Sequence, residues 1–130
     1  MRAGPLVVLG DGIYAASLGA ALQARGSAVV VRAAADVRRE GCAGLVAPRP
    51  AALVLDLMAA RRDDFALLRL LRAEPGLRGV PLIVSAQGTP GGDLGTLDRQ
   101  LTALGATPLL DPHDVEAILD IADAHQKRVA

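Results

Sequence analysis

The chain has 130 residues, of which 52% are hydrophobic and 22% are charged, as expected for one globular domain over 1–130. Fourteen basic and fourteen acidic residues cancel, so no net field attracts nucleic acid or an anionic membrane. The only aromatic residues are Tyr14 and Phe65, which argues against base stacking. Cys42 is the single cysteine, so an internal disulfide is excluded, and a reducing, cytoplasmic location is expected.

Apolar runs and helical periodicity alternate along the first part of the chain. An apolar run predicts a strand at 6–9, and a helix follows from residue 13 until Gly26 stops it. A second strand is predicted at 28–31 and a weak helix of Ala and Arg at 33–40. The apolar run at 51–58 has no polar alternation, which is typical of a strand buried on both faces.

The second part continues the same alternation, with a loop predicted over 59–64. The remaining predicted elements are a helix marked by apolar residues from 65 to 71 that stops at Pro75-Gly76, a strand over 80–85, a helix over 94–104, a minimal strand at 109–110 and a helix with the apolar face Val115, Ile118, Leu119 and Ala122. Strands and helices alternate five times. This alternation predicts an α/β fold with a doubly wound parallel sheet and helices on both faces.

Asp56 is the one carboxylate in the run at 51–58. An unpaired carboxylate is costly inside a core, so we expect Asp56 at the carboxyl end of its strand, where open α/β sheets place their ligand crevices. The structural alternative is an Asp that caps the turn after the strand.

A glycine motif stands between the first strand and the first helix. Residues 10–15 read G-D-G-I-Y-A, a G-x-G-x-x-A pattern in which Gly10 and Gly12 would let a pyrophosphate approach the helix N-terminus. Arg32, at the end of the second strand, would favour a 2′-phosphate. The alternative is a tight strand-to-helix turn, and the chain is too short for a second, substrate-binding domain.

A more extensive pattern surrounds Asp56. It combines the segments 53–58, 65–78 and 80–84 with the later Gly105-Ala106 and Pro112. In order and spacing, over residues 5 to about 126, the sequence resembles a response-regulator receiver domain of two-component signal transduction. The resemblance implies a flavodoxin-like (βα)5 fold with a five-stranded parallel sheet in the order 2-1-3-4-5.

The resemblance also implies a chemistry for Asp56, which stands where the family accepts a phosphoryl group from a histidine kinase. In the family, two acids at the end of the first strand help to hold Mg²⁺. A Ser or Thr after the fourth strand contacts the phosphoryl oxygens, and a Lys before the final proline pairs with the charge. Phosphoryl transfer depends mainly on positioning and charge neutralisation.

This sequence departs from that pattern at several positions. The acid pair falls on Leu9 and Gly10, which offer no side-chain metal ligand. Asp11 stands one position after the expected acid pair, and it would either reach the metal ion or cap the first helix. Ser85 matches the hydroxyl position, unless it makes only a local backbone bond. Asp111 stands where the family has Lys, which reverses the sign of the charge.

The loop after Asp56 lacks the family's Pro and Gly. Arg61 or Arg62 would compensate the charges of Asp56 and Asp111 if either folds back on them, and otherwise both lie in solvent. A different reading joins Asp11, Asp56 and Asp111 in an altered, oxygen-rich cation site.

These residues predict a degenerate receiver, not an enzyme, that acts mainly as a protein–protein interaction module with impaired Mg²⁺-dependent phosphorylation. By resemblance its partners are signalling proteins or a second copy, bound through the face of the fourth helix, fifth strand and fifth helix, with a histidine kinase as a further candidate. We expect no cofactor, with Mg²⁺ as the one candidate that the family suggests. The alternatives are a conventional receiver phosphorylated on Asp56 and a small dinucleotide-binding domain using Gly10 and Gly12.

Overall fold

The computed structural model describes residues 4–10, 13–45, 49–57, 62–86, 99, 102–103, 105–109 and 114–129. Its strands are β1 (Leu6–Leu9), β2 (Val29–Arg32), β3 (Ala52–Leu57), β4 (Leu82–Ala86) and β5 (Ala106–Leu109). All neighbouring pairs are parallel, and the order in the sheet is β2-β1-β3-β4-β5. This confirms the predicted flavodoxin-like sheet and its strand order.

Within the described residues, four helices with defined bounds connect or follow these strands. They are α1 (Ile13–Ala24), α2 (Ala34–Glu40), α3 (Arg62–Ala73) and α4 (Val115–Val129), with short 3-10 turns at Ala43–Leu45 and Pro75–Leu77. Of the helix predicted over 94–104, the described residues Arg99, Thr102 and Ala103 are helical, and the other positions lie outside the described residues. No helix within the described part is long and apolar enough to cross a membrane.

Several predicted boundaries were wrong. Helix α3 begins at Arg62, so part of the loop predicted over 59–64 is helical. Strand β5 covers Ala106–Leu109 and so begins three residues before the predicted strand at 109–110. Its sequence, A-T-P-L, does not indicate a strand, because proline is unfavourable in a sheet interior. An edge strand such as β5 tolerates proline. Strand β2 starts and ends one residue later than predicted, and β4 covers Leu82–Ala86 instead of 80–85.

The core has two layers, one on each face of the sheet, because successive strand residues point to opposite faces. On one face, Leu53 and Leu55 of β3 pack with apolar residues of α2 and α3. On the other face, Ala52 and Val54 pack with apolar residues of α1 and α4. Each of these four residues is at most 2% exposed. Burial on both faces explains the continuous apolar run of β3.

The last helix begins at Val115, and its N-terminus is capped by Asp114. The Asp114 Oδ1 atom accepts a hydrogen bond of 3.0 Å from the Ala117 N–H, which satisfies one of the free amides of the first turn. The proline expected to open this helix, Pro112, lies outside the described residues. The predicted apolar face is confirmed for Ile118 and its neighbours Leu119 and Ala122, which are buried against α1 and the sheet.

Arg72 ties the end of α3 to the amino ends of two strands. Its guanidinium donates hydrogen bonds of 3.2 Å to the Val80 carbonyl and 2.9 Å to the Gly105 carbonyl. Burial lowers the pKa of Arg72. Gly105 has a φ of +75°, a left-handed conformation that glycine adopts without a steric penalty. The side chain therefore connects three segments that are distant in sequence.

We expect Arg72→Met to lower the free energy of unfolding by about 1–3 kcal/mol, because both backbone carbonyls lose a charged donor. Urea denaturation would measure the change. Arg69→Met is the matched control, since Arg69 is an exposed arginine on the same helix. Equal effects of the two substitutions would contradict this role for Arg72.

Cys42 lies in the core layer on the α2 and α3 face and is 5% exposed. Burial, and secondarily the charge of Glu74, raises the pKa of its thiol above the ordinary 9.0. The thiol is therefore held in its neutral form by the fold.

This shift makes stability depend on pH in a defined direction. Because the folded-state pKa is raised, we expect the free energy of unfolding to fall as pH rises from the unfolded pKa towards the folded one. Urea denaturation between about pH 8 and pH 10, compared with Cys42→Ala, would isolate this component. Parallel pH profiles for the two chains would contradict it.

Candidate functional site

The carboxyl ends of the parallel strands meet at one edge of the sheet, which we call the carboxyl edge. There Asp56 of β3 is in register with Ser85 of β4, and Ser85 is in register with Leu109 of β5. Their backbone positions bring the predicted phosphoacceptor and the predicted hydroxyl residue onto neighbouring strands at the same level, as a shared site requires.

The neighbour of Asp56 on its other side is the end of β1. Leu9 pairs with Leu55, so Gly10 follows at the level of Asp56. Leu9 is fully buried in the core layer on the α2 and α3 face. At these two positions the chain places a core side chain and a residue without one, and neither can bind a metal ion by its side chain.

The backbone N–H of Gly10 already has a hydrogen-bond partner in the sheet. Its N–H donates a hydrogen bond of 3.0 Å to the Arg32 carbonyl at the end of β2. A dinucleotide fingerprint needs backbone N–H groups directed at the pyrophosphate. The N–H of Gly10, the first glycine of the motif, instead donates its hydrogen bond within the sheet. Gly12 lies outside the described residues.

Other predicted site residues lie beyond the described part of the chain. Asp11, Arg61 and Asp111 are outside the described residues, and Arg62 is described only by its backbone, as the first residue of α3. Among the residues that are described, no group of three or more His, Cys, Asp or Glu is placed to hold a metal ion. The three-carboxylate cation site and the charge compensation by arginine therefore stay predictions.

Among the described residues, Arg32 brings a positive charge to the carboxyl edge. It is the last residue of β2, is exposed, and is in register with Leu9. With Asp36 and Glu40 of α2 it lines a cavity of about 160 Å³. The sequence connected Arg32 only with a 2′-phosphate. Its position as the last residue of a strand was the signal that it belongs to this edge.

No protein-family model matches the sequence, and no curated protein matches it either. Solved structures do match. A response regulator receiver protein from Pseudomonas putida is 21% identical over 95% of this chain and 99% of its own, with a TM-score of 0.69. The signal receiver domain of a signal transduction histidine kinase from Syntrophus aciditrophicus is 20% identical over 98% of this chain and 92% of its own, with a TM-score of 0.68.

A third structure, the chemotaxis response regulator CheY4 of Vibrio cholerae, is 14% identical over 92% of this chain and 98% of its own, with a TM-score of 0.66. The likeness in each case extends over nearly the whole of both chains. This chain therefore has the fold of response-regulator receiver domains, as the resemblance in sequence implied.

The carboxyl end of β1 generates a prediction about metal binding. We expect titration with millimolar Mg²⁺ to leave the amide signals of Asp56 and its neighbours unchanged in NMR spectra, because Leu9 and Gly10 supply no carboxylate. Saturable shifts at Asp11, Asp56 and Asp111, abolished by Asp56→Asn, would contradict this and support the three-carboxylate site.

Proposed function

We propose that this chain is a degenerate receiver domain in signal transduction, acting mainly as a protein–protein interaction module with impaired Mg²⁺-dependent phosphorylation. One observation carries the proposal. Beside Asp56, at the end of β1, Leu9 is a core residue and Gly10 has no side chain. The strand and its core packing are retained, although Leu9 and Gly10 supply no side-chain ligand for a metal ion.

The physical reason lies in the charge that phosphoryl transfer develops. The transferred group carries negative charge on its oxygens, and cations must neutralise that charge in the transition state. Without carboxylates at Leu9 and Gly10, Mg²⁺ is held less firmly. Asp111, where the family has Lys, adds a negative charge where a positive one is expected. Both changes raise the barrier to phosphorylation of Asp56.

Partners are proposed at the face formed by the helix predicted over 94–104, by β5 and by α4, with other signalling proteins, a second copy or a histidine kinase as occupants. Three acidic residues are exposed on α4: Glu116, Asp120 and Asp123. Glu116 forms an ion pair with Arg25 at the end of α1. Exposed charges on this helix would speed association with a partner of opposite charge and select among partners.

A conventional receiver, phosphorylated on Asp56 with the help of Asp11 and Ser85, is the second candidate. The register of Asp56 with Ser85 favours it, because the two residues stand on neighbouring strands at the same level. Asp11 is the first carboxylate in sequence after β1. In this candidate Asp11 supplies the metal ligand that Gly10 lacks.

Incubation with acetyl phosphate and Mg²⁺, followed by mass spectrometry of the intact chain, distinguishes the two candidates. We expect no stoichiometric phosphoryl adduct, and no beryllofluoride-induced change in NMR spectra. Asp56→Asn is the control for modification elsewhere in the chain. A stoichiometric adduct that Asp56→Asn abolishes would contradict the degenerate reading.

The reverse experiment restores the missing charges. In the double variant Gly10→Asp/Asp111→Lys, we expect phosphorylation of Asp56 to increase by at least about tenfold, which corresponds to 1.4 kcal/mol of transition-state stabilisation. The matched control adds Asp56→Asn to the same double variant. If the double variant is folded but no better phosphorylated than the wild type, the missing charges do not explain the impairment.

A further inference from the structure

The cavity of about 160 Å³ that Arg32 borders lies beside α2 and the turn that follows it. Its apolar part is formed by Val37 and Leu45, each of which is 4% exposed. Gly41 and Gly44 also line it. A Cβ atom at either glycine would meet no heavy atom within 4 Å beyond its chain neighbours, so both glycines border open space.

The end of α2 keeps one wall of this cavity free of a side chain. Gly41 has a φ of +82°, and its N–H donates a hydrogen bond of 2.8 Å to the Val37 carbonyl. This left-handed conformation closes the helix and is strained for a residue with a side chain. The opening beside Gly41 therefore follows from the way in which the helix ends.

Side chains of both charge signs border the cavity. Asp36 and Glu40 are four residues apart on α2, so they share one side of the helix, and Arg32 extends from the end of β2. Across the described part of the chain, Arg32 forms no hydrogen bond or ion pair with another residue. Its guanidinium and the two carboxylates thus border one space without neutralising each other in direct contact.

The two carboxylates have a partner outside the cavity, Arg39. Its Nη2 atom lies 2.6 Å from Asp36 Oδ1 and 3.6 Å from Glu40 Oε1. Neither Arg38 nor Arg39 is among the residues that line the cavity. The side chains in these pairs are at least 48% exposed, and exposed ion pairs contribute only about 0–1 kcal/mol. Arg39 contacts one oxygen of each carboxylate, which leaves the other oxygen for a ligand.

Charges of both signs around one space favour a ligand that carries both signs. An anion alone would be attracted by Arg32 but repelled by two carboxylates, and a cation alone would be repelled by Arg32. A zwitterion avoids both repulsions. A guanidinium binds a carboxylate through two parallel N–H donors, and an ammonium group donates up to three hydrogen bonds.

The size and the apolar part of the cavity restrict the ligand further. Pockets for drug-sized ligands have volumes of roughly 300–1,000 Å³, so a cavity of about 160 Å³ admits only a much smaller molecule. The buried side chains of Val37 and Leu45 offer an apolar surface to an aliphatic group. A small molecule with two opposite charges and a short aliphatic group meets these requirements.

We propose that this cavity binds a small aliphatic α-amino acid in its zwitterionic form. The carboxylate of the ligand pairs with Arg32, its ammonium group is held by Asp36 and Glu40, and its side chain lies against Val37 and Leu45. Because these charged groups are exposed, we expect a dissociation constant on the order of 1–10 mM. This binding does not depend on phosphorylation of the chain or on the partner face of the proposed function.

Titration of the full chain with L-valine, followed by the amide signals in NMR spectra, tests the site. We expect saturable shifts that are concentrated in residues 36–45. Two matched ligands each lack one charge: isobutylamine has no carboxylate, and 3-methylbutanoate has no ammonium group. Each is expected to bind at least about fivefold more weakly than L-valine, since it loses one ion pair and keeps one repulsion.

Two arginine variants provide the matched comparison within the chain. Arg32→Gln should weaken L-valine binding at least about fivefold, whereas Arg39→Gln should not weaken it, because Arg39 contacts the same carboxylates from outside the cavity. Circular dichroism checks that both variants are folded. The proposal is overturned by the absence of saturable shifts up to about 100 mM L-valine, by equal binding of the one-charge ligands, or by unchanged binding in Arg32→Gln.

Discussion

The parallel pairing of β1, β3 and β4 is the constraint on which the rest of the structure depends. These strands are buried on both faces, so their backbone groups must be satisfied by each other and their side chains must fill two core layers. Once Leu9 is paired with Leu55 and Asp56 with Ser85, the positions at the carboxyl edge are determined. Any chemistry at this edge has to use the residues that this register brings there.

The same register shows why the core of this fold does not depend on acidic residues at the end of β1. A core depends on apolar residues at alternating positions, and Leu9 meets that requirement by being fully buried. In the receiver pattern that this sequence resembles, the metal ligands are carboxylates at the end of the same strand, and no part of the core depends on them. A chain with Leu9 and Gly10 at these positions can therefore fold without the side-chain ligands that the resemblance to receivers implies. Fold and function are separable for this physical reason.

The other boundaries of the sheet have different roles. At the amino ends of the strands, Arg72 holds α3, β4 and the turn before β5 together through two backbone carbonyls. At the sides, Pro108 blocks the β5 edge, whereas Val30 and Val31 leave the β2 edge exposed. The amino ends of the strands thus form a structural junction, whereas the two side edges of the sheet differ in how they are protected.

The sequence by itself determined the alternation of strands and helices, the buried strand that carries Asp56 and, through its resemblance to receivers, the strand order. Apolar runs and helical periodicity are local signals, and they are strong where a segment is buried. Only the tertiary structure decided the start of α3 at Arg62, the strand at Ala106–Leu109, the contacts of Arg72 with carbonyls 8 and 33 residues away, and the exposure of β2. These features depend on which segments become neighbours in the sheet, and residue patterns within one segment carry no record of that pairing.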